Sequence, residues 1–425
     1  MTVAKNYNEV QHKIKNSKLF ATPRGKLESW YPYYAGYSSD FVESIIAHAS
    51  TSKPLKDLLI YDPWAGAGTT LHTAAKQGCK VIGYDANPFI VDLALSKSPI
   101  VLNHLDDIIR FVKYIKNENP TAYPHILYGI SDYFEHDSVL VLSFLINAIN
   151  VECKKIAISP TNSHQSVLSF LMIALIIEAT KYVPKVKVSN PTWQTTNGKG
   201  ILPKNFLDLF IENIHSKISD LQDYYSSRIF SNYYNVILAD NRITMPSAKA
   251  DLIITSPPYL TRIDYIMSTK LELAFYVQSS KIRELRETNT GAPVVRNDSD
   301  LSPLWGNYAK SLAKDIIEHG SKASSSYYIK IYYQYIKDMY LSLDNISKSL
   351  ISGGRAYFVV QSSYYKDILM DLPRLIIEMG EIYGIDGKIV SQAEINNGLA
   401  AVNTHSKKYI ENKKYTEDTI LFIKD

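Results

Sequence analysis

Two short stretches hold residue types that can do chemistry. The first is Thr255-Ser256-Pro257-Pro258-Tyr259, directly after the apolar run Leu252-Ile253-Ile254. Consecutive prolines remove two backbone donors and fix φ at both positions, so the carbonyls and the preceding side chain are aimed rigidly. At the carboxyl end of a parallel strand, where open α/β sheets place ligands, such a device suits an exocyclic amine. Ser256 and the Pro257 carbonyl would each accept one N–H, and Tyr259 would offer a flat face for a base. A plain loop is the alternative reading, and the buried run before it argues against that.

The second stretch is Asp62-Pro63-Trp64-Ala65-Gly66-Ala67-Gly68-Thr69-Thr70, between a strand-like Leu58–Tyr61 and a helix-like Leu71–Gln77. Gly66 and Gly68 let the backbone approach a ligand, and the helix start offers unpaired N–H groups. An ordinary βα turn would also use glycine for steric reasons. Two features add to the ligand reading. Asp85 ends the next strand, Lys80–Asp85, where a carboxylate can accept both ribose hydroxyls of a nucleoside. The turn also lacks the Gly-Lys-Ser/Thr ending that cradles a triphosphate. A nucleoside without a phosphate chain fits, and S-adenosylmethionine is the candidate.

The elements that must position these groups follow from texture. Strand, turn, helix and strand from Leu58 to Asp85 make a βαβ unit, which implies a parallel sheet. Further strands are expected at Asn235–Asp240, Asp251–Thr255, Ala356–Val360 and Thr419–Ile423. Tyr328, Tyr332, Tyr335, Met339 and Leu343 recur at helical spacing and predict an amphipathic helix against the sheet.

Composition bounds the rest. A chain of 425 residues with 46% hydrophobic and 21% charged residues is neither disordered nor fibrous, and can bury a sizeable core. Two cysteines cannot build a disulfide framework, which suits a reducing compartment. Met1 to Lys18 lacks the apolar stretch of a signal peptide, and Val167–Ile177 is too short to span a bilayer. A cytoplasmic protein with no membrane partner is the expectation. The net charge of +4 permits nucleic acid without arguing for it, and 32 tyrosines are more than a core requires. Neither Cys79 nor Cys153 follows a proline, so neither resembles the nucleophile of carbon-5 cytosine methylation. The ten histidines form no His-Glu-x-x-His pattern, so no metal is expected.

Taken in order, these segments resemble the DNA amino methyltransferases that modify cytosine N4 or adenine N6. Trp30–Gly36 is similar to the family's segment at the methionine end of the cofactor, which implicates Tyr34 and Gly36. The turn is similar to its aspartate-proline-aromatic glycine motif, with Trp64 where phenylalanine is commoner, and implicates Asp62, Pro63, Trp64, Ala65, Gly66, Gly68, Thr69 and Thr70. Asp85, Ala86 and Asn87 resemble the ribose-binding strand end, and Asp240-Asn241 the segment meeting the adenine. Ser256, Pro257, Pro258 and Tyr259 match the catalytic tetrad, with Thr255 beside the cofactor.

The resemblance implies a Rossmann-like α/β fold with a mostly parallel seven-stranded sheet, a C-terminal antiparallel strand and a largely helical insertion. It implies direct methyl transfer from S-adenosylmethionine to a flipped base in double-stranded DNA, with serine before the prolines leaning to cytosine N4. The alternatives are adenine N6, or a non-catalytic subunit of a restriction-modification assembly. A prokaryotic, nucleoid-associated enzyme is implied, with a cognate endonuclease or defence subunit as a possible partner. Residues 1–98, 233–260 and 328–425 would form the core, with 99–232 a mainly helical insertion for target recognition. Residues 261–327 would be a second, polar and irregular insertion near the active site. The large insertion departs from the family's familiar positions.

Between Glu178 and Asp208 no acidic residue occurs, while Lys185, Lys187, Trp193, Gln194 and Lys199 cluster. These would neutralise phosphates and reach bases, although a solvated basic loop reads the same way. Arg262 and Arg283, after the tetrad, are further candidates for touching nucleic acid.

Overall fold

The computed structural model describes residues 14–17, 27–33, 36–49, 53–118, 129–156, 163–186, 193–227, 229–260, 263–296, 302–395 and 414–425. Tyr34, Lys187 and Arg262 lie outside them. Seven strands form one sheet: β1 (Leu59–Asp62), β2 (Lys80–Asp85), β3 (Tyr234–Leu238), β4 (Ala250–Thr255), β5 (Leu350–Gln361), β6 (Ile385–Ile395) and β7 (Tyr415–Lys424). The spatial order is β6-β7-β5-β4-β1-β2-β3. Pairing is parallel from β5 to β3, and β7 runs antiparallel to both β5 and β6. This is the mostly parallel, seven-stranded α/β sheet expected.

β1 is buried throughout and β4 nearly so, as strands covered on both faces must be. The chain runs outward from β1 through β2 to β3, then returns to β4 on the other side of β1. Ligand crevices in open sheets form at such a reversal, beyond the carboxyl ends of the strands. Helices α1 (Ser39–His48), α2 (Thr69–Lys76) and α3 (Pro88–Leu95) flank the cofactor half. Asn87 caps α3 by accepting from Phe89 N and Ile90 N, with Pro88 in the first turn.

Residues 99–232 hold α4 (Leu105–Asn117), α5 (His136–Ile156), α6 (Ser163–Ala179) and α7 (Phe206–Tyr224). They share one apolar core with α3 and with residues 266–282. Together with Thr180–Tyr182, α6 extends well past the apolar run Val167–Ile177. His164–Tyr182 is long and apolar enough to cross a membrane by length and composition, but 72% of its most apolar window is buried against other elements. The described residues between 263 and 327 include helical segments at Tyr265–Ser268, Lys270–Leu273, Ile282–Thr288 and Asn307–Glu318, more than their polarity suggests. The tyrosine-rich stretch is α8 (Ile329–Ser349), and Tyr332, Tyr335, Met339 and Leu343 are fully buried on its sheet face.

β6 was not legible in the sequence. It is an edge strand, largely exposed, so its residues carry no apolar alternation strong enough to mark it. It is held through Phe422 of β7, whose ring fills the space left by two glycines. A Cβ at Gly380 of α9 (Leu372–Ile382) or at Gly387 of β6 would meet Phe422 Cε1 at 2.6 or 2.5 Å. Gly387→Ala is therefore expected to cost about 1–3 kcal/mol. The measurement is a lower denaturant midpoint at unchanged m-value, and an unchanged midpoint would refute the packing argument.

Candidate active site

A single cleft gathers both sequence motifs. Its walls include Gly36, Pro63, Trp64, Ala65, Gly66 and Thr69 from the first half of the chain, with Asp85, Ala86 and Asn87 from the end of β2. Asp240, Asn241, Ser256 and Pro258 complete them from the ends of β3 and β4. The sheet explains the convergence, since β1, β2, β3 and β4 all deliver their carboxyl ends to one edge.

The glycine turn is built tightly. Gly66 sits at φ +49° and Gly68 at φ +82°, conformations that side chains disfavour. A Cβ at Gly66 would lie 3.0 Å from the Tyr33 ring, and one at Gly68 would lie 3.0 Å from Ala94 Cβ. Gly66 N donates to Asp85 Oδ2 (3.1 Å) and Asn87 N to Asp85 Oδ1 (2.9 Å). Burial nevertheless pushes the Asp85 carboxyl up to about 6, with no cation beside it to oppose the shift. Below the turn, fully buried Lys97 donates from Nζ to the Ala67 carbonyl at 2.7 Å. Burial lowers that ammonium to about 7.

Asp62 does not line the cleft. It lies beneath the turn, accepting from Thr255 Oγ1 (2.6 Å), Tyr37 OH (3.2 Å) and Trp64 N (3.2 Å). Burial raises it to about 6 despite those donors. Thr70 is also internal, its hydroxyl donating to the Ile254 carbonyl at 3.1 Å. Asp62, Thr70 and Thr255 thus join the turn to β4 and hold the two motifs in register.

Asn241 lines the cleft, but its side chain is committed to the fold. Its Nδ2 donates to the Pro63 carbonyl (3.2 Å) and its Oδ1 accepts from Ser342 (3.0 Å). The Asp240 carboxylate is gripped by Arg242 at 2.6–3.0 Å. Within the tetrad, Ser256 and Pro258 face the cleft, Tyr335 OH donates to the Pro258 carbonyl (3.1 Å), and Tyr259 is 8% exposed behind the wall.

Tyr33, from the Trp30–Gly36 segment, and Tyr265, just after the tetrad, also line the cleft. Tyr33 and Tyr265 face each other across 6.4 Å, nearly parallel at 26°. Burial raises both phenols, so they stay neutral donors. Thr288, Asn289 and Thr290 line the cleft as well. Only their polarity and their place after the tetrad hinted at this.

The nucleic-acid candidates lie apart from the cleft. Lys185 is in a short strand, Lys185–Val186, paired antiparallel with Thr195–Thr196, and Lys199 is exposed nearby. Trp193 is 40% exposed. Gln194 turns inward, donating to Glu272 Oε1 and accepting from Leu271 N, each at 3.2 Å. Arg283 is exposed and paired with Glu287 at 3.1 Å. Cys79 and Cys153 are buried, and burial pushes both thiols up to about 12, far from thiolate reactivity.

Comparisons with known proteins bear on this geometry. The family model described as DNA methylase, of the N6/N4 methyltransferases, matches residues 5–96. The chain is 27% identical over 326 residues to the Type II methyltransferase M.BsoBI of Geobacillus stearothermophilus, covering 69% of this chain and 62% of that protein. It is 24% identical over 309 residues to M.AvaI of Nostoc sp., covering 67% and 61%. The chain thus spans less than two thirds of the length of either relative. A solved rRNA methyltransferase, aviRa from Streptomyces viridochromogenes, aligns over 94% of this chain and 90% of its own at 8% identity. Its TM-score of 0.32 is too low to bear on the fold, which rests on the strand order.

The cleft fits S-adenosylmethionine. Asp85 places a carboxylate in the cleft wall, where it can accept further hydrogen bonds. Gly66 brings bare backbone to the cleft wall. The stretch that matches the N6/N4 DNA methylase model, residues 5–96, includes the cleft-lining residues from Tyr33 to Ile90.

Proposed function

We propose that the protein methylates an exocyclic amine of a flipped base in double-stranded DNA, and that the amine is cytosine N4. The observation that carries this reading is the opening of Ser256 and Pro258 onto the same cleft as the glycine turn and Asp85. Bound S-adenosylmethionine supplies a methyl group on a sulfonium, an electrophile that needs no further activation. The protein's task is then to bind, orient and desolvate the amine. Ser256 Oγ and the Pro257 carbonyl accept its two N–H groups and direct the nitrogen lone pair into the cleft. The prolines hold those acceptors without reorganisation. Extruding the base costs a few kcal/mol of stacking, met by the apolar and aromatic walls that receive it. For Tyr259 to stack on the base, its buried ring must move towards the cleft.

DNA would approach over the hairpin of Lys185 and Trp193. Gln194 anchors that hairpin to Leu271 and Glu272, and Thr269 of the same segment accepts from Asn87 Nδ2 at 2.9 Å. A continuous path therefore runs from the basic hairpin to the ribose end of the cleft. On this reading the enzyme faces the nucleoid in the cytoplasm and acts beside a cognate endonuclease or a defence-system subunit.

Transfer of labelled methyl from the cofactor to genomic DNA, digested to nucleosides, tests the substrate. Label is expected in N4-methylcytosine. Label in N6-methyladenine would replace the base assignment, and none in DNA would sink the activity. Ser256→Ala is expected to lower kcat by about 10²-fold with cofactor affinity unchanged. Lys185→Ala and Lys199→Ala should each reduce the slope of log affinity against log salt by about 1, measured on duplex DNA.

The acid limb of cofactor binding follows from Asp85. Ribose hydroxyls donate to the ionised carboxylate, so affinity is full above pH 6 and falls about tenfold per unit below it. For folding the sign is opposite. A native value near 6 exceeds the unfolded value of about 3.9, so the native state holds extra protons between those values. Stability without ligand therefore declines as pH rises through that window, and Asp62 adds the same sign. Titration calorimetry from pH 5 to 8 checks the binding limb, which Asp85→Asn should make shallower. An equally steep limb in that variant would remove Asp85 from the account.

A further inference from the structure

Of the wall formed by Thr288, Asn289 and Thr290, only Thr290 is buried. The position of the wall is set by an ion-paired cluster drawn from three distant segments. Asp338 of α8, 3% exposed, accepts from Arg242 Nη1 at 2.6 Å and from Arg296 Nη2 on both oxygens at 2.8 Å. The far side of each guanidinium holds a carbonyl of the wall. Arg242 Nη2 donates to Thr288 O at 2.8 Å and Arg296 Nη1 to Glu287 O at 3.1 Å. Arg242 meanwhile clasps the carboxylate of Asp240, which lines the cleft.

The charges balance, with two arginines on two aspartates. Arg286 ties the start of the wall to Asp264, just past the tetrad, at 2.7 Å. Gly291, at φ +79°, lets the chain pass where a Cβ would lie 2.8 Å from the Tyr259 carbonyl. Anything that moves Asp240 or Arg242 therefore moves this wall.

We propose that Asp338 is a positioning residue, which holds Arg242 and Arg296 together and so couples the Glu287–Thr290 wall to the Asp240 end of the cofactor site. The inference rests on the cofactor reading of the cleft. It concerns the link between the two ends of that cleft rather than the base that enters it.

The test uses the full chain. Asp338→Asn is expected to weaken S-adenosylmethionine binding about tenfold by calorimetry, a usual size for coupling between linked sites. It should also speed hydrogen exchange in residues 286–292 while leaving β1 and β4 protected. The double variant Asp338→Asn with Arg296→Met removes the uncompensated cation. It is expected to recover thermal stability but not cofactor affinity. Recovery of both, or unchanged affinity and exchange in the single variant, would overturn the proposal. Should Asp338→Asn fail to fold, Arg296→Gln keeps the Arg242–Asp338 pair and tests the same link. It should raise exchange at Glu287–Thr290 and weaken binding about threefold, and no change in either overturns the inference. Wild-type protein that binds cofactor yet labels no DNA would overturn the proposed activity alone, leaving the coupling readable from affinity and exchange.

Discussion

The hydrogen bond from Thr255 to buried Asp62, 2.6 Å long, joins the ends of two neighbouring parallel strands. The glycine turn begins on one side of it and the Ser-Pro-Pro-Tyr segment on the other. Tyr37 and Thr70 add further bonds to the same place, so the spacing of the two motifs is fixed by a small polar network inside an apolar sheet. The network has a cost, visible in the raised Asp62 carboxyl. A buried acid is tolerated here because Thr255, Tyr37 and the backbone of Trp64 all donate to it.

Much of this was legible in the sequence because each motif sits on an element with a strong period or a strong punctuator. Apolar runs marked β1, β2 and β4. Glycines and Asn87-Pro88 marked the turns that follow. Tyr328 to Leu343 marked the sheet face of α8. What stayed hidden came from tertiary pairing. Arg242 meets Asp338 across 96 positions of chain, and no local pattern announces it. Asn241 shows the opposite case. Its place beside the cofactor suggested a ligand contact, yet its amide holds Pro63 and Ser342.

The surplus of tyrosine has a structural use. Buried rings donate their hydroxyls to backbone carbonyls of other segments. Tyr225 reaches Lys97 O at 2.8 Å, Tyr234 reaches Ala94 O at 2.9 Å, and Tyr332 reaches Ala309 O at 2.9 Å. Tyr335 does the same for Pro258, inside the tetrad itself. A phenylalanine would fill the same volume and leave each carbonyl without that donor.

The position of β7 between β5 and β6 bears on how the chain is made. Residues 415–424 are the last of the seven strands to leave the ribosome, yet they supply both inner partners of that end of the sheet. Until they arrive, β5 presents an open edge more than fifty residues upstream, with Phe358 and Val360 beside it. Such an edge is a template for wrong pairing. Nascent chains stalled before Tyr415 are thus the species most exposed to aggregation and most dependent on chaperones, although both halves of the cleft have already been synthesised.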